Sequence, residues 1–502
     1  MAKAISFVDV CLFGAGLYVI KRLVGSRRSN SLPPGPTGWP VIGNLFQISS
    51  ERNWEDFAAL GKKYGDISTI SILGTRYVVL NSYEAISAVL EKQSSKCSNR
   101  PHLTMASDLV GSSKGLLFMD YNDRLRQHRK HFYRLFGTRS STAAFNSIGE
   151  EETRRFVSKL LRKPEDLVDH IRSTAGAIIF KVTYGYTVQE EKDPFVELGE
   201  KVLAIGSLIA TPGAFLVDFI PSLRYLPEWF PGASFLRDAK KYNQLLMDSV
   251  LKPHQYVVDQ MAAGTAIPSF SSTLLEGGVS PEEEDVIMWT SMAVSLGASD
   301  TVISAIHSFF LAMILFPEVQ AKAQAELDAV VGSERLPSFN DRDFLPYINA
   351  ICKEVLRWHT VAPLAMPHVA TEDIYYNGFL IPQGSCIIGN SWAVLHDEST
   401  YPDPEVFCPE RFLCETPPLD PQNVCFGFGR RICPGKRLHL AEASLFISVA
   451  MSLATLVISK EIVNGVLVTP SFDVTSGILS HPKPFRCKIT ARSTVAETLL
   501  RG

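Results

Sequence analysis

Apolar residues change their pattern along the chain, and each pattern predicts its own kind of element. Residues 4–24 are apolar almost without a break, with Asp9 near one end and Lys21 and Arg22 near the other. At about 1.5 Å of helical rise per residue, some twenty such residues are just enough to span the hydrocarbon core of a bilayer. Asp9 would then sit near the outer interface, where a charge costs less. Lys21, Arg22, Arg27 and Arg28 cluster at the end of the run and only Lys3 precedes it, which favours a retained anchor over a cleaved signal peptide and puts the bulk of the chain on the cytoplasmic side. Residues 32–44, LPPGPTGWPVIGN, read as a stiff hinge because proline fixes the backbone and removes amide donors.

Beyond the hinge, residues 54–92 alternate short helical and extended patterns, with β-branched and aromatic residues concentrated at 67–73 and 77–80, as in strands. Helical periodicity with few breakers then covers 150–161, 164–183, 239–262, 281–316 and 317–331. Extended patterns return at 374–381, 386–389, 466–469 and 485–489. No internal repeat interrupts this course. The predicted fold class is therefore mainly α with a minor β-sheet, in which residues 1–31 form an anchor with its basic flank and 32–502 form one domain.

Composition narrows the partners. A length of 502 residues allows several domains, but large single-domain enzymes reach this size. A net charge of -3 gives no global attraction to nucleic acid, so an electrostatic partner would need a local patch. Nine cysteines, an odd number at irregular spacings, speak against a secreted disulfide framework and for a reducing compartment.

The chemistry concentrates in residues 426–435, FGFGRRICPG. A lone cysteine on a glycine-rich turn is usually structural. Here Gly429 and Gly435 are positioned to bend the backbone so that the Cys433 sulfur can approach a flat macrocycle with amide N–H groups turned toward it. Phe426 would shield the sulfur from water, and Arg431 has the planar fork suited to a buried carboxylate such as a haem propionate. A second unusual string, Gly297-Ala298-Ser299-Asp300-Thr301, places an acid beside an alcohol in an otherwise apolar helix. Small residues there would admit a diatomic ligand while Thr301 and Asp300 handle protons. In the plainer alternative Thr301 bonds the carbonyl four residues earlier and Asp300 pairs with a basic neighbour.

The 426–435 loop resembles the cysteine-ligand signature of the cytochrome P450 superfamily, the haem-thiolate monooxygenases, and the 297–301 string resembles that family's acid-alcohol motif. The resemblance implies one cytochrome P450-type domain holding haem b, with Cys433 as axial iron ligand and Asp300 and Thr301 as catalytic residues. It implies cofactor contacts from Phe426, Gly435 and Arg431, and propionate contacts also from Arg129 and His368. It implies a structural charge triad of Glu354, Arg357 and Arg411, the first two lying three apart on one helical face. The indole that the family often places four residues before Arg129 is replaced by Leu125. Substrate would meet 105–117, 203–219, 294–301, 361–366 and 477–479, segments whose aliphatic character suits a hydrophobic small molecule.

The chain has neither a Walker loop nor a strand-GxGxxG-helix unit, so its electrons must come from another protein. The family implies a membrane-bound NADPH-cytochrome P450 reductase, with cytochrome b5 as a further donor, and O2 as the co-substrate. Arg124, Arg126, Arg129, Lys130, Lys436 and Arg437 would form the basic docking face. A single-pass protein of the endoplasmic reticulum membrane follows, resembling fungal members of secondary metabolism and xenobiotic oxidation. Two rival readings are a haem-thiolate isomerase or dehydratase that needs no reductase, and a haem-binding sensor; the intact Asp300 and Thr301 weigh against the first.

Overall fold

The computed structural model describes residues 31–137, 143–189, 192–211, 213–435 and 440–501. The predicted anchor lies outside the described residues, apart from Ser31. Helix α1 (Asn53–Tyr64) leads into the antiparallel pair β1 (Ile67–Ile72) and β2 (Thr75–Leu80). Next come α2 (Asp123–Phe136), α3 (Asn146–Arg162), α4 (Leu167–Tyr184), α5 (Pro194–Ala210) and α6 (Ser234–Ala262). Helices α7 (Pro281–Leu315), α8 (Pro317–Val330) and α9 (Pro346–Trp358) complete the helical middle. Strand β3 (His368–Val369), the hairpin β4 (Ile374–Tyr376) and β5 (Phe379–Ile381), and β6 (Cys386–Gly389) precede α10 (Leu440–Thr455). Strands β7 (Leu456–Ser459), β8 (Glu461–Val463), β9 (Val466–Val468) and β10 (Lys488–Ala491) close the sequence of strands.

Helix α7 is the central rod. It starts sharply because Ser280 accepts a hydrogen bond from the Glu283 amide, Pro281 needs no amide partner, and Glu282, Glu283 and Glu284 complement the positive end of the helix. From Val302 to Ile314 every residue is buried. Its core stretch packs on α4 and α10, and Pro317 ends it by forcing Phe316 out of helical geometry. This is the one helix among the described residues long and apolar enough to cross a membrane, and its length is explained by the core it fills.

The larger sheet has strand order β1-β2-β6-β3, with β2 and β6 parallel and Tyr77 opposite Cys386. It joins the early part of the chain to the late part. Pro164–Asp166 makes a 3-10 turn and α4 starts only at Leu167, whereas the helical pattern began at 164. The strand expected at 485–489 is Lys488–Ala491, since Pro482 and Pro484 keep the preceding residues out of a ladder. Helices α2, α5 and α10, and α9 apart from its 354–357 turn, fall outside the predicted segments. Helix α10 is mostly apolar with no polar stripe to set a period, and in α2 the buried residues are Leu125, His128, His131, Phe132 and Phe136, two of which read as polar.

Candidate functional site

The cysteine loop follows a short helix, Gln422–Cys425, and contains a 3-10 turn at Gly429–Arg431. Gly427 and Gly429 adopt φ 74° and 57°, the left-handed region. A Cβ on Gly429 would also stand 2.1 Å from the Leu90 carbonyl oxygen, so this position admits only glycine. The expected bend at Gly435 needs correction: its φ lies outside the left-handed region, and Gly427 supplies the second bend. Gly435 instead donates its amide to the Cys433 sulfur at 3.2 Å, and a Cβ there would lie 3.1 Å from that sulfur. The Cys433 amide donates to the Phe426 carbonyl at 2.7 Å, which closes the loop.

Cys433 lines a cavity of about 490 Å3, as do Phe426, Arg431 and Gly435. Cys97, Cys352 and Cys386 are buried elsewhere, and desolvation pushes their thiols up to about 12, 12 and 11, which keeps them protonated. Cys433 is exposed and faces this cavity.

One wall of the cavity is cationic. Arg129, from α2, donates to the Ile432 carbonyl at 2.9 Å. Arg431 donates to the carbonyls of Ser98 at 2.6 Å and Met119 at 2.5 Å. His368, on β3, bonds through Nδ1 to the Cys97 carbonyl at 2.7 Å. Burial, and then the charge of Arg100, push its pKa down to about 3, so the ring is neutral and Nε2 is an acceptor. It can donate to a carboxylate only after gaining a proton. The sequence reading missed Arg100, whose Nη1 donates to Met366 and Pro367 at 2.7 and 2.8 Å while its buried Nε has no hydrogen-bond partner among the described residues. Burial, then Arg431, pushes Arg100 down to about 9, and burial pushes Arg431 down to about 10. Its only signal in the sequence is an arginine held between Asn99 and Pro101. Three guanidinium groups on one wall, one with an orphaned donor, fit a buried dianion such as the two propionates of haem.

Helix α7 forms another wall with Gly297, Ala298, Asp300 and Thr301. A Cβ on Gly297 would meet nothing within 4 Å, so the helix borders open space there. Thr301 Oγ1 donates to the Gly297 carbonyl at 3.0 Å, and Asp300 Oδ2 lies 3.3 Å from His481 Nε2. These are the partners of the plainer alternative, yet both residues remain on the cavity wall.

Glu354, Arg357 and Arg411 meet away from the cavity. Arg357 donates to both carboxylate oxygens of Glu354 at 2.8 Å, Arg411 Nε to Oε1 at 3.2 Å, and the Cys408 amide to Oε1 at 2.9 Å. Glu354 and Arg357 are fully buried, and Arg357 spends its remaining donors on the Leu395 and Val406 carbonyls.

The basic surface differs from the expectation. Arg124 is drawn to Asp285 at 2.7 Å and Arg129 lines the cavity, so neither contributes a free charge outside. Lys436 and Arg437 lie outside the described residues. Arg126 and Lys130 are exposed, Arg126 being paired with Asp123, and Arg430, not foreseen, joins them by stacking on Tyr121 at 5.1 Å while Arg126 stacks on the same ring at 5.7 Å.

The remaining walls are apolar. Segments 105–117, 294–301, 361–366 and 477–479 each contribute lining residues, but only the first half of 203–219 does, through Leu203 to Ile209. Tyr242 and Leu246 from α6, and Trp289 and Met292 from α7, line the cavity without having been expected.

A family model described as cytochrome P450 matches residues 33–489. Cytochrome P450 monooxygenase 208 of Postia placenta is 45% identical over 97% of this chain and 96% of its own length. Cytochrome P450 monooxygenase claR of Ampulloclitocybe clavipes is 41% identical over 98% of this chain and 91% of its own. A solved zebra fish cytochrome P450 with abiraterone shares the fold, with a TM-score of 0.70 at 22% identity over 88% of this chain and 100% of that chain.

Proposed function

The chain belongs to the cytochrome P450 family, and on that premise we propose that the Cys433 thiolate would hold the iron of its haem b, with Arg100, Arg129, His368 and Arg431 as the residues that would hold the propionates. The protein is a P450 monooxygenase with thiolate-ligated haem as cofactor. Haem held by a thiolate supplies reductive O–O cleavage and insertion of one oxygen atom into a substrate, with the other leaving as water.

The chain's own residues bind, orient and protect. Gly435 N–H stabilises the thiolate by hydrogen bonding, and Phe426 covers it against water. The arginines neutralise the propionates, and His368 becomes a donor there once a carboxylate raises its proton affinity. Asp300 and Thr301 hold and pass protons on the α7 wall of the cavity. Glu354, Arg357 and Arg411 brace the scaffold so that the haem pocket forms. The observation carrying the assignment is the Cys433 sulfur on the cavity wall, receiving the Gly435 amide at 3.2 Å.

The substrate is a hydrophobic, ring-containing molecule of aromatic, polyketide or terpenoid type, supported by the aliphatic and aromatic walls from Phe118, Tyr242, Trp289 and Leu479. Electrons come from an NADPH-cytochrome P450 reductase, with cytochrome b5 as a further donor, docking near Arg126, Lys130 and Arg430. Residues 1–31 anchor the catalytic domain, 32–502, to the cytosolic face of the endoplasmic reticulum, a placement supported by the sequence pattern.

The ferrous protein under carbon monoxide should show the red-shifted Soret band of thiolate ligation, and Cys433→His should abolish it. A band typical of imidazole ligation in the wild type would overturn the assignment. Co-expression with a reductase and feeding of aromatic, steroid and terpenoid panels, read by mass gain, tests the substrate class; oxygenation of fatty acids alone would refute it.

A further inference from the structure

We propose that His481 is the solvent-side proton relay of this site, acting through Asp300, a role that rests on the assignment of Asp300 made above. Asp300 lines the cavity, and His481 Nε2 lies 3.3 Å from its Oδ2. Each side chain is 26% exposed. The pair therefore connects the cavity wall to bulk water through one carboxylate and one imidazole.

Backbone contacts hold the main chain of His481 in place independently of that contact. The His481 amide donates to Thr475 Oγ1 at 3.0 Å, and its carbonyl accepts from the Thr475 amide at 2.8 Å. The preceding Ser480 is held through its carbonyl by Ser304 Oγ at 2.7 Å and by His359 Nε2 at 3.0 Å. The other two imidazoles of this region, His307 and His359, are buried, and desolvation pushes them down to about 3 and 4. They stay neutral and buried. His481 is the one among the three that touches both solvent and the cavity acid.

Monooxygenation consumes one O2, two electrons and two protons for each substrate, and yields one oxygenated product and one water. Reductase electrons enter by another route, so the protons must cross the wall. A protonated His481 gives its Nε2 proton to Asp300 Oδ2, the neutral ring turns to bring Nδ1–H to Asp300 and the bare Nε2 to solvent, Nε2 takes a proton from hydronium, and the Asp300 carboxyl releases its proton into the cavity. Two passages complete one turnover.

The test compares the full-length haem protein with its His481→Gln and Asp300→Asn variants. His481→Gln should keep the carbon monoxide spectrum, the substrate-induced spectral shift and the hydrogen exchange of residues 474–482. Its reductase-driven turnover should fall roughly tenfold, with a larger solvent isotope effect and the same direction of change as Asp300→Asn. Turnover driven by hydrogen peroxide, which brings its own protons and electrons, should be unchanged. Unaltered reductase-driven turnover and isotope effect would overturn the relay. So would equal losses with both oxidants together with faster hydrogen exchange, which would make His481 a structural tie. A wild-type protein lacking the thiolate spectrum would instead overturn the proposed function.

Discussion

Single residues here carry opposing demands, and Arg100 is the clearest case. Folding buries its guanidinium next to Arg431, which pushes its proton affinity down to about 9, so at neutral pH the haem-free protein carries a charge that folding disfavours. A bound dianion would relieve it. Arg100→Met should therefore raise the urea midpoint of the haem-free protein while speeding haem transfer to excess apomyoglobin by roughly tenfold, the equivalent of one charged hydrogen bond. A drop in both quantities would mean that the guanidinium is structural. The glycines of the cysteine loop separate in the same way. Gly429→Ala meets both a left-handed φ and the Leu90 carbonyl, and should cost about 3 kcal/mol or prevent accumulation of haem protein. Gly435→Ala should fold, with its new methyl pressing on the sulfur and shifting the Soret band in absorption spectra.

At the level of elements, the Glu354 carboxylate ties α9 to the returning segment Pro409–Phe412. Sequence spacing alone places Glu354 and Arg357 on one helical face, but such a pair on a surface is worth little. Its weight comes from full burial, which depends on the return of Arg411 and the Cys408 amide, and no local pattern reveals that. Glu354→Gln leaves two guanidinium groups without their counter-charge and should lower stability by about 3 to 5 kcal/mol in urea titrations, with little haem incorporated. Arg411→Lys keeps the charge and should lose far less. The same contrast governs what was legible among the helices. Helix α7 was readable because its caps and prolines are local signals. Helix α10, apolar over most of its surface, has no period to read, and its boundaries come from packing beside α3 and α7.

For the whole molecule, the family and the cysteine loop were legible because five chemically constrained positions fall within ten residues, whereas the cationic wall was only partly legible. Arg100, Arg129, His368 and Arg431 come from four separate stretches of chain, and only the folded sheet and helices bring them to one cavity. Burial on this scale also sets an acid limit. His128, His307, His368 and His396 are pushed down to about 3, and His359 to about 4, in each case chiefly by desolvation. The unfolded chain protonates these rings near pH 6.5 while the folded protein does not, so below that pH the unfolded state binds more protons and stability falls. Each ring contributes roughly 1.4 kcal/mol of loss per pH unit until its own folded value is reached. Asp341, held low by Arg335, and Glu410, held low by Lys322 and Tyr347 against its own desolvation, add a second loss at lower pH, because their stabilisation exists above their unfolded values and disappears as they protonate. The urea midpoint of the haem-free protein should consequently fall steadily from pH 6.5 to 4, before carboxylate protonation dominates. His396→Gln should reduce the slope in that window by about one proton without changing the stability ranking at pH 8, where all these rings are neutral in both states. A flat midpoint from pH 7 to 5 would show that the rings take up protons in the folded protein, and the interior around them would then have to be wetter than their burial implies.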